Sequence, residues 1–280
     1  MRMKGNFAGT GAVIGGKPLI NQPFDSKSVP VAPLARPAPS AAGKNDAPAE
    51  PASIRMDSDR LRTAIALFGE AQWEDATREF MLVDSSALSL RERAELSYYL
   101  GLCHMKTGRH EDALPYIEKV LAAGGDILRA YQCRMTLAFI HVTEGRPKMA
   151  EQELRRLQDA GFESAQMFNA MAYAAYARKH YRHALEYYEK ALGLDADNAT
   201  ALNSMGFILA DTGIDPLRGL KLCRRAVELK PGSAAYLDSL GWACFKCSDT
   251  AAARSWLRKA LEIAPREREI REHLRIAAGG

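Results

Sequence analysis

From Asp57 onward, apolar residues recur every three or four positions, which is the spacing of amphipathic α-helices. The first segment is typical: Leu61, Ala64 and Phe68 share one face of a predicted helix. Trp73 and Phe80 begin the same pattern on the next helix, and Gly69 lies near the turn between the two. Helix-breaking residues are few after Asp57, so the pattern predicts an all-α fold.

The helices form a repeat with a period of 34 to 35 residues. Gly206 and Gly241 are 35 positions apart, and Pro231 and Pro265 are 34 apart. A period in this range indicates stacked helix pairs. We predict six pairs, at about 57–90, 94–127, 131–164, 165–198, 199–233 and 234–267. An amphipathic helix at 266–278 is predicted to cap the last pair, and one extra residue near 212–216 is predicted to lie in a turn.

Two segments carry a family resemblance. One reads Leu202-Asn-Ser-Met-Gly206-Phe207 and ends at Pro231, and the other reads Leu237-Asp-Ser-Leu-Gly241-Trp242 and ends at Pro265. Both are similar to the tetratricopeptide repeat (TPR) pattern, which is common in bacterial proteins. The resemblance covers 57–267 and implies a right-handed α-solenoid of helix pairs. It also implies that the first helix of each pair lines a concave groove.

Small residues recur where the paired helices are expected to approach closely. On the first helices of the second to sixth pairs they are Gly101, Ala138, Ala172, Gly206 and Gly241. A larger side chain at these positions is expected to overpack the contact. This packing rule accounts for most of the apolar sequence, so function is sought in the positions beside it.

The N-terminal segment, residues 1–56, has a different composition. It holds 8 of the 13 prolines and only two aromatic residues, Phe7 and Phe24. Such a segment buries too little apolar surface to offset its ordering entropy, so we predict a disordered arm. It also carries the net charge of +4, because residues 57–280 hold 31 basic and 31 acidic residues. Without a clustered basic face, nucleic acid is not an expected partner.

Catalytic and metal-binding patterns are weak. Cys244 and Cys247 form a C-x-x-C, but no βαβ pattern or further ligand pair accompanies it. The five cysteines are interpreted as core residues that stay reduced. His104 and His141 are also interpreted as core residues. His180 and His183 lack a third ligand nearby. The sequence therefore predicts a protein that is not an enzyme and that has neither a metal site nor a cofactor.

The candidate binding residues lie beside the small residue of each first helix. Asn169, Asn203 and Asp238 precede it by three positions and form a polar ladder. Asn side chains both donate and accept hydrogen bonds, as a peptide backbone requires. Aromatic residues beside the ladder are expected to form an exposed apolar strip that anchors a partner. The predicted groove residues are Tyr98, Phe139, Asn169, Tyr173, Tyr176, Asn203, Phe207, Asp238, Trp242 and Phe245.

The sequence therefore predicts a protein–protein interaction scaffold that binds a peptide or helix of a partner protein in the concave groove. The alternative is a structural or self-associating module whose groove is filled by its own arm, its C-terminal helix or a second copy. No run of about 18 apolar residues indicates a membrane span, and no signal peptide is recognised. A cytoplasmic location is expected, with a periplasmic or envelope-associated location left open.

Overall fold

The computed structural model describes residues 52–124 and 127–279, and the side chains from Met56 onward. This part of the chain forms thirteen α-helices and contains no β-strand. The helices are α1 Ala52–Gly69, α2 Trp73–Met81, α3 Leu90–Lys106, α4 His110–Ala123, α5 Ile127–Thr143, α6 Pro147–Asp159, α7 Ala165–Ala177, α8 Tyr181–Leu194, α9 Ala199–Asp211, α10 Pro216–Leu229, α11 Ala234–Lys246, α12 Thr250–Ile263 and α13 Arg268–Ala277. The predicted all-α class is confirmed.

The predicted arm, residues 1–56, lies outside the described residues except at its end. There the structure differs from the expectation, because α1 begins at Ala52 rather than at Asp57. The physical reason is local: Pro51 is the last proline before the repeats, and residues 52–56 contain no helix breaker.

The chain forms two compact units, which meet in sequence between Ala201 and Leu202. In the first unit, α1 to α8 pack as four consecutive hairpins, and each helix also packs against the next. In the second unit, α10 packs on α11, α11 on α12, and α13 covers α12 while touching α11. Each unit therefore builds its core from neighbouring helices rather than from distant parts of the chain.

The turns within the six helix hairpins share a left-handed residue. One residue after the first helix adopts a left-handed conformation, and these residues are Ala71, Gly108, Gly145, Lys179, Gly213 and Ser248. In five of the six turns, the N–H of this residue bonds the carbonyl three positions back, and the next N–H bonds the carbonyl five positions back. This is the Schellman motif, which satisfies the free carbonyls at a helix end.

The turn between α9 and α10 is longer. Here the N–H of Asp215 reaches back six positions to the carbonyl of Leu209, so the turn holds one extra residue. The Asp215 carboxylate then accepts the backbone N–H of Arg218, and Pro216 occupies the first position of α10. The extra residue therefore lies in the turn, as the sequence predicted.

Close helix contact is demanding at Gly206. A Cβ there would lie 2.8 Å from the carbonyl oxygen of Gly219 and 2.9 Å from the backbone nitrogen of Cys223. At Gly101, by contrast, the nearest atom would be the flexible end of the Ile117 side chain, at 2.6 Å. Backbone meets backbone only in the first case, so glycine is more strictly required at 206.

We expect Gly206→Ala to lower the free energy of unfolding by about 1–3 kcal/mol, because the contact is overpacked. Gly101→Ala should cost less, since Ile117 can change rotamer. Gly193→Ala in α8 is the control, because nothing lies within 4 Å of that site and the helix gains from losing a glycine. Urea denaturation of the three variants measures their free energies of unfolding. An equal loss of stability in Gly206→Ala and Gly101→Ala would contradict the prediction.

The turns give a second prediction. Lys179 has a φ of 61°, a conformation that is strained for a residue with a Cβ. Lys179→Gly should therefore raise the free energy of unfolding by about 1 kcal/mol. Lys179→Ala removes the same long side chain but keeps the Cβ, so it should give no such gain. If both variants changed stability equally, side-chain contacts rather than backbone strain would explain the effect.

Candidate functional site

The ten predicted groove residues divide equally between the two units. On α3, α5 and α7 of the first unit lie Tyr98, Phe139, Asn169, Tyr173 and Tyr176. On α9 and α11 of the second unit lie Asn203, Phe207, Asp238, Trp242 and Phe245.

The expected exposed aromatic strip is not observed. Phe139, Tyr173, Phe207 and Trp242 are between 4% and 8% exposed, and only Tyr176 and Phe245 are half-buried. The sequence pattern placed these rings correctly on the first helices. It did not reveal how much of each ring is covered by packing.

In the first unit, several of these side chains hold internal contacts. The Tyr98 hydroxyl donates to Gln132 Oε1 at 2.8 Å, one repeat further along. The Phe139 ring meets His110 edge-on at 5.3 Å. Both aromatic residues therefore tie neighbouring helices together.

Asn169 is 3% exposed and only partly satisfied. Its Nδ2 donates to Asn198 Oδ1 at 2.9 Å, and the same oxygen accepts the backbone N–H of Ala201. Its own Oδ1 is buried without a hydrogen-bond partner among the described residues. Asn198 was not predicted, although an Asn just before a helix is a common N-cap.

In the second unit, α13 covers the predicted site. His273 Nδ1 lies 2.9 Å and 3.0 Å from the two carboxylate oxygens of Asp238. The His273 ring stacks on Trp242 with centroids 4.2 Å apart, and Phe207 lies 6.4 Å away. The chain's own C-terminal helix therefore occupies the side chains that the sequence assigned to a partner.

His273 was missed, although a signal was available. It follows Asp238 by 35 residues, so it continues the spacing of Asn169, Asn203 and Asp238. The capping helix thus repeats the first-helix register of the pairs before it. A search for the ladder beyond the last full repeat would have found it.

Asp211 is a second contact that the sequence did not reveal. Its Oδ1 accepts the indole N–H of Trp242 at 2.9 Å. Lys246 Nζ donates to the Asp211 carbonyl at 2.8 Å and lies 5.3 Å from the Trp242 ring centroid. Trp242 contacts His273 and Lys246 through its ring and Asp211 through its N–H, so it is a structural anchor of this unit.

Asn203 is different from the other ladder residues. It is 0% exposed, and neither its Nδ2 nor its Oδ1 has a hydrogen-bond partner among the described residues. The neighbouring Ser204 hydroxyl is buried and unpaired as well. Unpaired buried polar groups are uncommon in native proteins and call for a physical reason.

The charge state of His273 follows from this arrangement. Burial alone would lower its pKa, but the hydrogen bond and charge of Asp238, together with Glu269 and Asp211, raise the pKa above the ordinary value. The protonated ring then forms a buried ion pair with Asp238. This pair fastens α13 to α11.

The thiols are poor nucleophiles. Burial raises the pKa of Cys103 and Cys244 to about 11 and that of Cys133 to about 12. Burial also raises the pKa of Cys223 and Cys247. All five are free, and because only a thiolate is strongly nucleophilic, they are weakly reactive at neutral pH.

The described residues contain no group of three or more His, Cys, Asp or Glu side chains placed to hold a metal ion. None of the helices between residues 52 and 279 is both long and apolar enough to cross a bilayer. Burial lowers the pKa of His104 and His141, with help from nearby Arg109 and Arg146 respectively. Both imidazoles are therefore neutral core groups.

The raised pKa of His273 predicts a pH-dependent stability. A group whose pKa rises on folding stabilises the protein fully below its unfolded pKa, and this gain disappears as pH rises through the folded pKa. The unfolding free-energy difference between wild type and His273→Gln should therefore be largest at about pH 5.5, below the ordinary histidine pKa, and shrink as the pH rises through the folded pKa. Chemical denaturation at several pH values measures it.

His183→Gln, an exposed site, is the control and should follow wild type at every pH. A difference between wild type and His273→Gln that stayed constant with pH would show that His273 acts by packing alone.

Family models for the tetratricopeptide repeat match residues 54–126, 165–198 and 234–267, which together make up half of the chain. A TPR repeat-containing protein of Pseudomonas aeruginosa, PA4667, is 38% identical over 80 residues. That match covers 29% of this chain and 13% of the relative, so the chain spans a small part of that protein.

Solved structures share the fold at low sequence identity. A tetratricopeptide repeat protein from Parabacteroides merdae aligns with a TM-score of 0.60 and 13% identity, over 82% of this chain and 87% of that one. The Cut9–Hcn1 hetero-tetramer of the APC/C gives a TM-score of 0.63 at 14% identity, over 80% of this chain and 45% of that chain. The family models, the relative and the shared fold agree, and the chain belongs to the tetratricopeptide repeat family.

Proposed function

We propose that the protein is a non-enzymatic scaffold that binds a peptide or helix of a partner protein along the first helices of its repeats. The observation that carries the proposal is Asn203, whose amide nitrogen and oxygen are both buried and unpaired among the described residues. Leaving such a group unpaired costs about 1–3 kcal/mol. A peptide backbone supplies both the acceptor and the donor that this side chain lacks.

The first unit supports the same function through its own residues. The Oδ1 of Asn169 is also buried and unpaired, and Tyr176 keeps part of its ring exposed one turn beyond Tyr173. An acceptor beside a half-buried aromatic ring suits a peptide N–H and an apolar side chain. The unit therefore offers a contact for a partner independently of α9 and α11.

In the second unit, the partner has less aromatic surface to use. Phe207, Asp238 and Trp242 already contact His273, so they support the site from beneath rather than form its surface. Phe245 stacks on Trp242 at 5.2 Å and remains half-buried, which leaves one edge for an apolar anchor. We assign the binding role in this unit to Asn203 and Phe245, with Trp242 as a positioning residue.

A second candidate function is a structural or self-associating module, because α13 fills the predicted site of the second unit. In that case the ladder would serve internal packing, and no peptide would need Asn203. The two candidates differ in what the Asn203 amide does, and one substitution separates them.

The test is Asn203→Leu, which replaces the amide with an apolar group of similar size. We expect the unfolding midpoint to stay the same or rise, because an unsatisfied amide is removed, while partner affinity falls about tenfold or more. The partner is first captured from cell lysate with wild-type protein and identified by mass spectrometry. Its affinity is then measured with purified proteins by calorimetry.

Ser204→Ala is the matched control, because it removes an adjacent buried and unpaired hydroxyl without touching the amide. It should bind like wild type. If all three proteins bound the partner equally, Asn203 would be a core residue and the peptide-binding proposal would be wrong.

A further inference from the structure

Charge is distributed unequally along the repeats. Residues 57–201 hold eighteen basic and twenty-two acidic side chains, whereas residues 202–280 hold thirteen basic and nine acidic ones. The repeats are neutral in total, but the first set carries −4 and the second +4. Opposite charges of this size favour association between molecules when each is concentrated on one face.

In the second unit, most acidic groups are already engaged. Asp238 pairs with His273, Asp211 with Trp242 and Lys246, and Glu272 with Arg275. Asp215 and Asp249 accept backbone N–H groups at the starts of α10 and α12. These carboxylates are therefore unavailable to neutralise the cations of the outer helices.

Five cations on α10 and α12 have no acidic partner within ion-pair distance among the residues that the structure describes. They recur at matching repeat positions, because Arg224 and Arg258 are 34 residues apart. An open groove of about 450 Å³ runs along α12, lined by Ala251, Arg254, Ser255, Arg258, Lys259 and Glu262. We call the cations Lys221, Arg224, Arg254, Arg258 and Lys259 the basic face.

An acidic counterpart lies on the second helices of the first two repeats. Glu74 and Asp75 open α2, and Glu111 and Asp112 open α4. The two pairs are 37 residues apart, so they also occupy matching repeat positions. Glu74, Glu111 and Asp112 are exposed, and Asp75 is partly exposed. Asp75 pairs with Arg78, and Glu111 lies 3.6 Å from Arg146, but both pairs are at the surface, where an ion pair contributes little and can exchange partners. We call these four residues the acidic face.

We propose that the basic face of one molecule binds the acidic face of a second copy. The two faces carry opposite charge, both lie on second helices, and both repeat from one helix pair to the next. Glu262 within the α12 groove repels phosphates, so the same surface suits a mixed protein face better than a nucleic acid. The contact uses the second helices, and the first-helix residues assigned to partner binding stay free for that role.

The association is electrostatic, so it depends on salt. The screening length falls from about 30 Å at 0.01 M salt to about 3 Å at 1 M. Sedimentation equilibrium of the full chain at tens of micromolar should give an average mass above the 30.8 kDa monomer in low salt and the monomer mass in high salt. A monomer mass in both conditions would overturn the proposal.

Charge reversal tests the pairing itself. Arg254→Glu with Arg258→Glu should make the chain monomeric in low salt, and so should Glu111→Lys with Asp112→Lys. The first double variant keeps its acidic face unchanged, and the second keeps its basic face unchanged. When the two are mixed, these unchanged faces can bind each other, so association should return. Failure of the mixture to associate would show that the two faces do not bind each other.

The control is Lys148→Glu with Arg182→Glu, which changes the net charge as much as the first double variant but touches neither face. Both residues are exposed, and this variant should associate like wild type. Loss of association in the control would point to net charge rather than to a specific contact. Loss of association after nuclease treatment of the wild type would instead identify nucleic acid as the ligand of the basic face.

Discussion

The close approach of two helices at a small residue is the constraint on which this structure depends. At Gly206 and Gly219 the backbones themselves are in contact, and no side chain separates the helices. Once two helices lie this close, the turn between them must reverse the chain in a few residues. A left-handed turn residue accomplishes this in each hairpin, with Schellman hydrogen bonds in five of the six turns and a turn longer by one residue between α9 and α10. The register of every other side chain follows from that contact.

Polar groups then distinguish one repeat from the next. Within the part of the chain that the structure describes, one amide group of Asn169 and both of Asn203 lack a hydrogen-bond partner, whereas Asp238 pairs with His273 at the same ladder position. All three side chains are buried to a similar extent, so burial does not distinguish the positions. Their hydrogen bonding differs: the unpaired amide of Asn203 carries the binding proposal, and the pair of Asp238 with His273 closes the sixth repeat.

Much of the fold was predictable from the sequence, because the repeat is visible as a regular spacing of small and apolar residues. Gly206, Gly241 and the apolar stripe predict paired helices, and the extra residue near Asp215 predicts a longer turn. Helix ends were harder to predict. Helix α1 starts at Ala52, inside the segment 1–56 that is rich in proline and was predicted to be disordered. Composition describes a stretch of chain, whereas a helix begins at a single residue.

The candidate site was only partly predictable. The positions of Asn169, Asn203 and Asp238 follow from the period, but the burial of Phe139, Tyr173 and Trp242 depends on neighbouring side chains that no period specifies. The contacts of Trp242 with Asp211 and of Asp238 with His273 join residues about one repeat apart. Such pairings depend on side-chain conformation, and spacing alone does not show them.

The pairing of Asp238 with His273 has a consequence for how the array can be lengthened or cut. A carboxylate is tolerated at this buried position because a histidine from α13 lies against it, whereas the two repeats before it carry amides there. A chain ending after Pro265 would keep all six helix pairs yet expose Trp242 and leave Asp238 without its counter-ion. Duplicating the fifth helix pair would add another buried amide, that of Asn203, at the ladder position. Duplicating the sixth would instead bury a second carboxylate inside the stack without a histidine against it. The sixth repeat is thus matched by its chemistry to the helix that covers it.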